Sequence, residues 1–594
     1  MTNNLKLKIS FKHIKLILVV CFLMSALTID INAKNFQPIG TVNPSKYIPA
    51  QKQIAESKNG MVTTQHFLAT KVGEKILNKG GNAYDAAIAV GFTLAVVLPR
   101  AGNIGGGGFM VMHDSATNQS YSIDYREMAP AKSFTNMYLK DDGSFNDDKL
   151  STFGYLASGV PGTVAGFWEI HQKFGSLDWE LLLEDAIYYA ENGFEITPYM
   201  ADMLTKYEEK LSYFEPTKKI FMEHNPDFTG SILVQKDLAN TLKLIAEKGK
   251  DGFYKGEIAK RIANEMQKNG GMITENDLTN YKPQWRKPLI SDYRDNKIIT
   301  MGPPSSGGVH IIQMLNILEN YDLKLIQHNT VDYINLLAEV MKYAYADRSK
   351  HLGDPDFFVV PISEITNKKY AKSIKNKIKI GESTSSSKIL PGSFEEIESV
   401  ETTHFSVADK NGNIVSSTYT LNSTFGSGVT IEGTGILMNN EMDDFSAAPG
   451  IPNQFGLLGA EANEIQPKKR PLSSMTPTIV MRDNELFFTT GSPGGSRIIS
   501  AVLQSILNII DFEMDLEEAN KSKRIHHQWQ PDILQIEFSL DNDIKQQLLN
   551  LNYKVEVIDP ATCLQTIMFK DGKYYGYGDF RRPDAFASGD IYDR

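Results

Sequence analysis

At residue 402 the character of this chain changes within one peptide bond. Residues 381–401 are rich in Ser, Thr and Glu, and Pro391 and Gly392 interrupt any regular element there. From Thr402 onward, Thr402-Thr403-His404-Phe405-Ser406-Val407-Ala408-Asp409 alternates with the period of two that marks a strand. The run Asp409-Lys410-Asn411-Gly412-Asn413 reads as a turn that folds 414–420 back as the second arm of a hairpin. In the simplest reading Thr402 merely starts this strand. The alternative is chemical: scission of the Glu401–Thr402 bond gives Thr402 a free amine beside its own hydroxyl, so one residue supplies both base and nucleophile. A single internal threonine does not decide between the two.

The 594 residues leave room for several domains at roughly 150 residues each. With 41% hydrophobic and 22% charged residues the composition is globular, and the net charge of −10 argues against a nucleic-acid partner, which would favour a basic patch. The N-terminus stands apart. Lys6, Lys8, Lys12 and Lys15 precede a short apolar run at 16–27, and Ile31-Asn32-Ala33 offers a cleavage site ahead of Lys34. Residues 1–33 therefore read as an export signal. The run is shorter than the ~20 apolar residues a membrane span needs, and Val20 before Cys21 is not the small residue that lipid attachment uses. The expectation is a soluble mature protein in the periplasm or secreted, without a stable membrane anchor. The segment 1–33 carries four lysines and Asp30, so its removal takes the net charge to −13. Beyond it Cys563 is the only cysteine, so no intrachain disulfide is possible and stability rests on packing.

After a polar leading segment at 34–60, periodicity predicts a helix over 70–78 stopped by Gly80-Gly81, and a second, apolar on nearly every face, over 83–98 with Asn82 as its cap. Strand patterns follow at 109–113 and 121–125, then a mainly helical stretch over 160–280. A Gly/Pro/Ser turn at 302–308 leads into a helix over 309–319, and a long helix covers 331–349. Past Thr402 strands dominate, at 403–408, 414–420, 476–481 and 486–490. A helix over 496–510 follows Gly494-Gly495, and a hairpin turns at Asp571-Gly572 between 563–569 and 574–577. Periodicity by itself supports α/β or α+β.

Eight segments in order resemble the γ-glutamyltranspeptidase family of N-terminal nucleophile hydrolases, over most of the chain from Met61 past Trp529. They include Gly80-Gly81-Asn82-Ala83, Ala101-Gly102-Asn103-Ile104-Gly105-Gly106-Gly107-Gly108-Phe109, Asp124-Tyr125-Arg126-Glu127-Met128 and Pro303-Pro304-Ser305-Ser306-Gly307-Gly308. Thr402-Thr403-His404-Phe405, Asn439-Asn440-Glu441-Met442-Asp443-Asp444, Pro471-Leu472-Ser473-Ser474 and Gly491-Ser492-Pro493-Gly494-Gly495 complete the set. The resemblance implies an α+β, four-layer αββα sandwich, autoprocessed into two interlocked subunits: a large one over 34–401 and a small, catalytic one over 402–594. It implies glutathione and other γ-glutamyl compounds as substrates, amino acids or dipeptides as acceptors, and no metal or organic cofactor.

Residue by residue, the resemblance gives Thr402 as nucleophile and Thr420 as the residue that orients it. Taken alone, Thr420 could equally be an ordinary strand threonine. Gly494 and Gly495 match the oxyanion donors, and a glycine pair before a helix suits that task; a plain strand-to-helix turn is the commoner use of Pro493-Gly494-Gly495, and the two readings coexist. Each such donor contributes about 3–4 kcal/mol to transition-state stabilisation. Arg126 with Ser473 and Ser474 resembles the clamp for an α-carboxylate, which a guanidinium fork matches. Asn422, Glu441 and Asp444 resemble the ammonium-binding set, and the three-residue spacing of the two acids lets them converge if that segment turns. Arg126 alone would more often be a structural ion pair, and Asp443 is read that way. His404, the pair His526-His527 and the turn Ser305-Ser306 are read as structural. One departure stands out: where several bacterial relatives carry a lid tyrosine bonded to the residue matching Asn422, the stretch 449–459 has Phe455, so the hydroxyl latch is lost. Two rivals remain, a cephalosporin (glutaryl) acylase on the same scaffold and a non-catalytic exported solute-binding protein.

Overall fold

The computed structural model describes residues 53–589 apart from 145, 147–148, 224–227, 393–402, 447–452, 455–456, 458–460 and 538–540. The expected export signal, Thr402 and Phe455 lie outside the described residues.

Two seven-stranded antiparallel sheets form the middle of the fold. One runs from edge to edge through Phe586–Ser588, Gly60–Thr64, Thr403–Asp409, Ile414–Thr420, Gly107–Asp114, Gln119–Asp124 and Gln284–Arg286. The other runs through Ile54–Ser57, Lys573–Gly578, Gln565–Lys570, Glu485–Thr490, Thr478–Arg482, Asn296–Thr300 and Leu289–Tyr293. Period-two alternation sorts neighbouring residues into different cores. Within Gly107–Asp114, Met110 and Met112 join the cluster shared with helix Ala83–Val97, whereas Phe109 and Val111 join the cluster of the second sheet. Polar contacts tie the sheets together as well: Ser406 Oγ donates to Gln565 O (3.0 Å), and Thr478 N donates to Ser416 Oγ (3.1 Å). Helices Gly307–Leu318, Val331–His351 and Arg497–Ile510 pack with the second sheet. The result is the α+β, four-layer αββα arrangement.

Helix Ala83–Val97 is buried along its whole length, which explains an apolar pattern without an amphipathic face. Asn82 Oδ1 accepts from the amides of Tyr84 (2.9 Å) and Asp85 (3.0 Å), and Asp85 Oδ2 accepts in return from Asn82 N (3.0 Å), closing a capping box. A Cβ on Gly91 would stand 2.4 Å from the Phe167 ring, so a side-chain-free position lets a neighbouring helix approach.

Differences from the expected elements are local. The helix expected over 70–78 spans Phe67–Asn78, because His66 Nδ1 accepts from Leu68 N (3.3 Å) and serves as an unusual cap. The leading segment expected to be only polar contributes the edge strand Ile54–Ser57, and three further strands lie between Gln284 and Thr300. We expect Asn82→Ala to cost about 1 kcal/mol of stability, read as a lower urea midpoint at unchanged slope.

Candidate active site

The strand that follows the undescribed segment 393–402 starts at Thr403 and lies in the centre of its sheet, paired with Gly60–Thr64 on one side and Ile414–Thr420 on the other. Gln65 Nε2 donates to Thr403 Oγ1 (2.7 Å). Thr403 faces Tyr419, and Thr420 ends the neighbouring strand one residue further on. Thr420 is held from two sides. Asn103 Nδ2 donates to its carbonyl (2.7 Å), and Asn422 N donates to its Oγ1 (2.7 Å). The glycine run is what allows this: a Cβ on Gly106 would stand 1.9 Å from Thr420 O. Asn422 adopts a left-handed backbone (φ 71°) and turns its Nδ2 onto Asn440 O (3.0 Å). Its buried Oδ1 has no hydrogen-bond partner among the described residues.

From Asn440 the chain enters the 3₁₀ turn Glu441–Asp444, which brings both acids onto Arg126. Arg126 follows strand Gln119–Asp124 and is fully buried. Its Nη1 is bonded to Glu441 and its Nη2 to Asp444, while Nε and Nη2 also donate to the carbonyls of Pro471 and Leu472 (both 3.2 Å). Glu127 Oε2 lies 3.5 Å from Nη1. One guanidinium thus meets three buried carboxyl groups. Burial disfavours the Arg126 charge, but Glu441, Asp444 and Glu127 outweigh it and hold the group above its ordinary range. Burial, reinforced by Glu127 and Asp444, pushes Glu441 well above the usual carboxylate range against the pull of Arg126. Glu127 is raised in the same way, by burial first.

Ser473 and Ser474 directly follow the carbonyls that Arg126 holds. Ser473 Oγ accepts from Met475 N (3.1 Å), and Ser474 Oγ is bonded to Arg348 Nη2. Gly494 (φ 132°) and Gly495 (φ 66°) form a buried left-handed turn before helix Arg497–Ile510, and neither amide donates to another described residue. Buried amides without a partner are rare. This turn meets the central strand through Gly491, where a Cβ would come within 2.4 Å of the His404 ring. Hydrogen bonds and chain neighbours thus lead from Thr420 through Asn422 to Asn440-Glu441, and from Glu441 through Arg126 to Leu472-Ser473-Ser474. The Gly494-Gly495 turn connects to the same region through the next residue, Ser496, whose carbonyl accepts from the Tyr345 hydroxyl, and the Tyr345 ring lies 5.8 Å from the Arg348 guanidinium.

A family model described as gamma-glutamyltranspeptidase matches residues 69–589. The chain belongs to the γ-glutamyltranspeptidase family. A glutathione hydrolase proenzyme of Escherichia coli (strain K12) is 49% identical over 536 residues, 90% of this chain and 92% of the relative. The crystal structure of Helicobacter pylori γ-glutamyltranspeptidase is similar at 45% identity and a TM-score of 0.55, over 58% of this chain and 97% of that one. The crystal structure of a cephalosporin acylase from Bacillus halodurans superposes with a TM-score of 0.81 at 25% identity, over 95% of this chain and all of the other.

In this γ-glutamyltranspeptidase family member the residues read as structural are engaged as such. Both nitrogens of His404 meet hydroxyls, Thr418 Oγ1 (2.8 Å) and Ser406 Oγ (3.1 Å), and burial lowers its pKa to about 3. Asp443, expected as a structural ion pair, instead accepts from neutral donors, Ser151 Oγ (2.7 Å) and Gln454 N (3.2 Å). His526 contacts Ser500 Oγ (2.9 Å) and Gln528 (3.0 Å), and His527 Nδ1 accepts from Trp529 N (3.2 Å). Ser305 Oγ and Ser306 Oγ donate to the carbonyls of Met475 (2.6 Å) and Ser473 (2.8 Å). Sequence reasoning gave no role to Asn103, Glu127 or Arg348. Asn103 and Glu127 stood inside quoted segments, but only the fold brings them to Thr420 and Arg126.

Because Glu441 and Glu127 are raised, the native state keeps protons that the unfolded chain releases near pH 4.3, about the free glutamate value. Stability is then full below that pH and falls as pH rises through the folded-state values. Glu441→Gln removes one of the titrating groups, so its urea midpoint is expected to fall less than that of the wild type between pH 5 and pH 8.

Proposed function

We infer that this chain is a γ-glutamyltransferase and glutathione hydrolase that matures by cutting itself before Thr402. The observation that carries the reading is the buried set of Arg126, Glu441, Asp444 and Asn422, which offers charges of both signs to one small ligand. A γ-glutamyl group carries a carboxylate and an ammonium on one carbon. The guanidinium is paired with one oxygen of each of the two acids. A zwitterion can insert between them, its carboxylate taking Arg126, Ser473 and Ser474 and its ammonium taking Glu441, Asp444 and the open Asn422 Oδ1. A glutaryl group, as in the acylase reading, would take the guanidinium and strand two buried carboxyl groups without a cation. The charge set therefore favours γ-glutamyl over glutaryl substrates.

In maturation the Thr402 hydroxyl attacks the Glu401 carbonyl, the acyl group moves from nitrogen to oxygen, and water cleaves the ester. The new amine, with a pKa of about 7.7–8.0 when unperturbed, then takes the hydroxyl proton as Thr402 attacks the γ-carbonyl of glutathione. Thr420 Oγ1 accepts from Asn422 N and so keeps its own proton for a neighbouring oxygen. The amides of Gly494 and Gly495 would hold the tetrahedral oxyanion. Cysteinylglycine leaves, and water or an amino acid or dipeptide resolves the γ-glutamyl ester. Export through residues 1–33 to the periplasm belongs to the same proposal, and no helix among the described residues is long and apolar enough to cross a membrane.

A denaturing gel of the active protein should give two fragments covering 34–401 and 402–594, the shorter beginning Thr-Thr-His-Phe. Thr402→Ala should leave one uncut chain without turnover of a γ-glutamyl anilide, and an uncut but active wild type would refute the mechanism. With Phe455 in place of a lid tyrosine, water enters more easily. Phe455→Tyr is therefore expected to lower the ratio of hydrolysis to dipeptide transfer, and an unchanged ratio would reject that role.

A further inference from the structure

Arg348 lies in helix Val331–His351, fully buried, and has no place in the mechanism above. Its Nε donates to Ser306 Oγ (2.8 Å) and its Nη2 to Ser474 Oγ. A guanidinium only donates, whereas a serine hydroxyl owns one proton and two lone pairs. Ser474 Oγ must therefore accept from Arg348, and its proton is left for another acceptor. Ser473 is set the same way, because its Oγ accepts from Met475 N (3.1 Å). Ser306 completes the frame: having accepted from Arg348, it donates both its amide (2.7 Å) and its hydroxyl (2.8 Å) to Ser473 O. Both hydroxyls are thus turned into donors beside Arg126, which holds Leu472 O one residue earlier (3.2 Å).

We propose that Arg348 is a positioning residue for the substrate α-carboxylate, acting by fixing the Ser474 hydroxyl as a donor and, through Ser306, by holding the Ser473 backbone in place. This rests on the reading of those serines as part of the carboxylate clamp. Without Arg348, Ser474 can rotate and spend its proton on a nearby carbonyl, as many buried serines do. The fork of the guanidinium spans Ser306 and Ser474 at once, which the point charge of a lysine cannot do. Arg348 also adds a second cation to a region where one guanidinium faces three carboxyl groups. Burial lowers its pKa to about 9 and Tyr345 and Asp444 act against that, so it stays charged at neutral pH.

The test compares wild type, Arg348→Gln, Arg348→Lys, Ser474→Ala and the Arg348→Gln/Ser474→Ala double variant, each checked for maturation on a denaturing gel. The readouts are kcat and KM for a γ-glutamyl anilide and competitive inhibition by glutamate and by 4-aminobutyrate, which is glutamate without its α-carboxylate. Arg348→Gln should raise KM and the glutamate inhibition constant about tenfold, as for loss of a charged hydrogen bond, with kcat little changed and 4-aminobutyrate inhibition unchanged. In the Ser474→Ala background the same substitution should add almost nothing, since coupled partners are not additive. Equal weakening of both inhibitors, or independent penalties in the double variant, would overturn the proposal. If Arg348→Gln does not mature, Arg348→Lys carries the test with the same KM shift expected, and a wild-type KM there overturns it. Absent γ-glutamyl turnover in the wild type sinks the functional reading and this inference together, whereas turnover without a KM shift sinks this inference alone.

Discussion

A single buried guanidinium organises the centre of this molecule. Arg126 joins three stretches of the chain that are far apart in sequence: its own neighbourhood with Asp124 and Glu127, the turn Glu441–Asp444, and the carbonyls of Pro471 and Leu472. Burying an ion is costly unless it is paired and hydrogen-bonded, so each of these segments is tied to one geometry. Yet the set is unbalanced in charge, with more acid than base, and the excess is carried by protons held on raised carboxyl groups. Under the proposed function, recognition and stability are coupled through the same few atoms.

The acylase superposition sharpens the point. A scaffold of two stacked sheets with helices outside accommodates different acyl groups. In the proposed mechanism cleavage needs only a terminal hydroxyl residue and oxyanion donors, roles given to Thr402 and the Gly494-Gly495 turn. The same proposal assigns substrate choice to the charges around Arg126. The two halves of the site reach the central strand by different routes, one through Thr420 and Asn422 and one through Gly491 against His404.

Much of this was legible in the sequence because local rules and tertiary demands agree. The hairpin 403–420, the helix after Asn82 and the helix after Gly494-Gly495 carry strong periodicity or strong caps, and each stands within a residue or two of its expected bounds. The three-residue spacing of Glu441 and Asp444 foretold their convergence, since one 3₁₀ turn is what such a spacing needs. What stayed hidden depends on partners. Edge strands such as Ile54–Ser57 and Phe586–Ser588 are too short to show a period, and His66 caps a helix with a ring nitrogen that no capping preference includes. Arg348 sits in a helix whose pattern shows nothing unusual, and its meaning comes only from two serines more than forty and more than a hundred residues away.

The order of strands in the central sheet has a consequence of its own. Strands Thr403–Asp409 and Ile414–Thr420, from beyond position 402, lie between Gly60–Thr64 and Gly107–Asp114, from before it, and Phe586–Ser588 closes the edge outside Gly60–Thr64. Chain from either side of position 402 is thus shuffled through one hydrogen-bonded ladder. A break between Gly392 and Thr403 would leave two polypeptides woven together, neither owning a seven-stranded sheet by itself. Folding would have to be finished before such a cut, and denatured halves would face a bimolecular search that the unbroken precursor never meets.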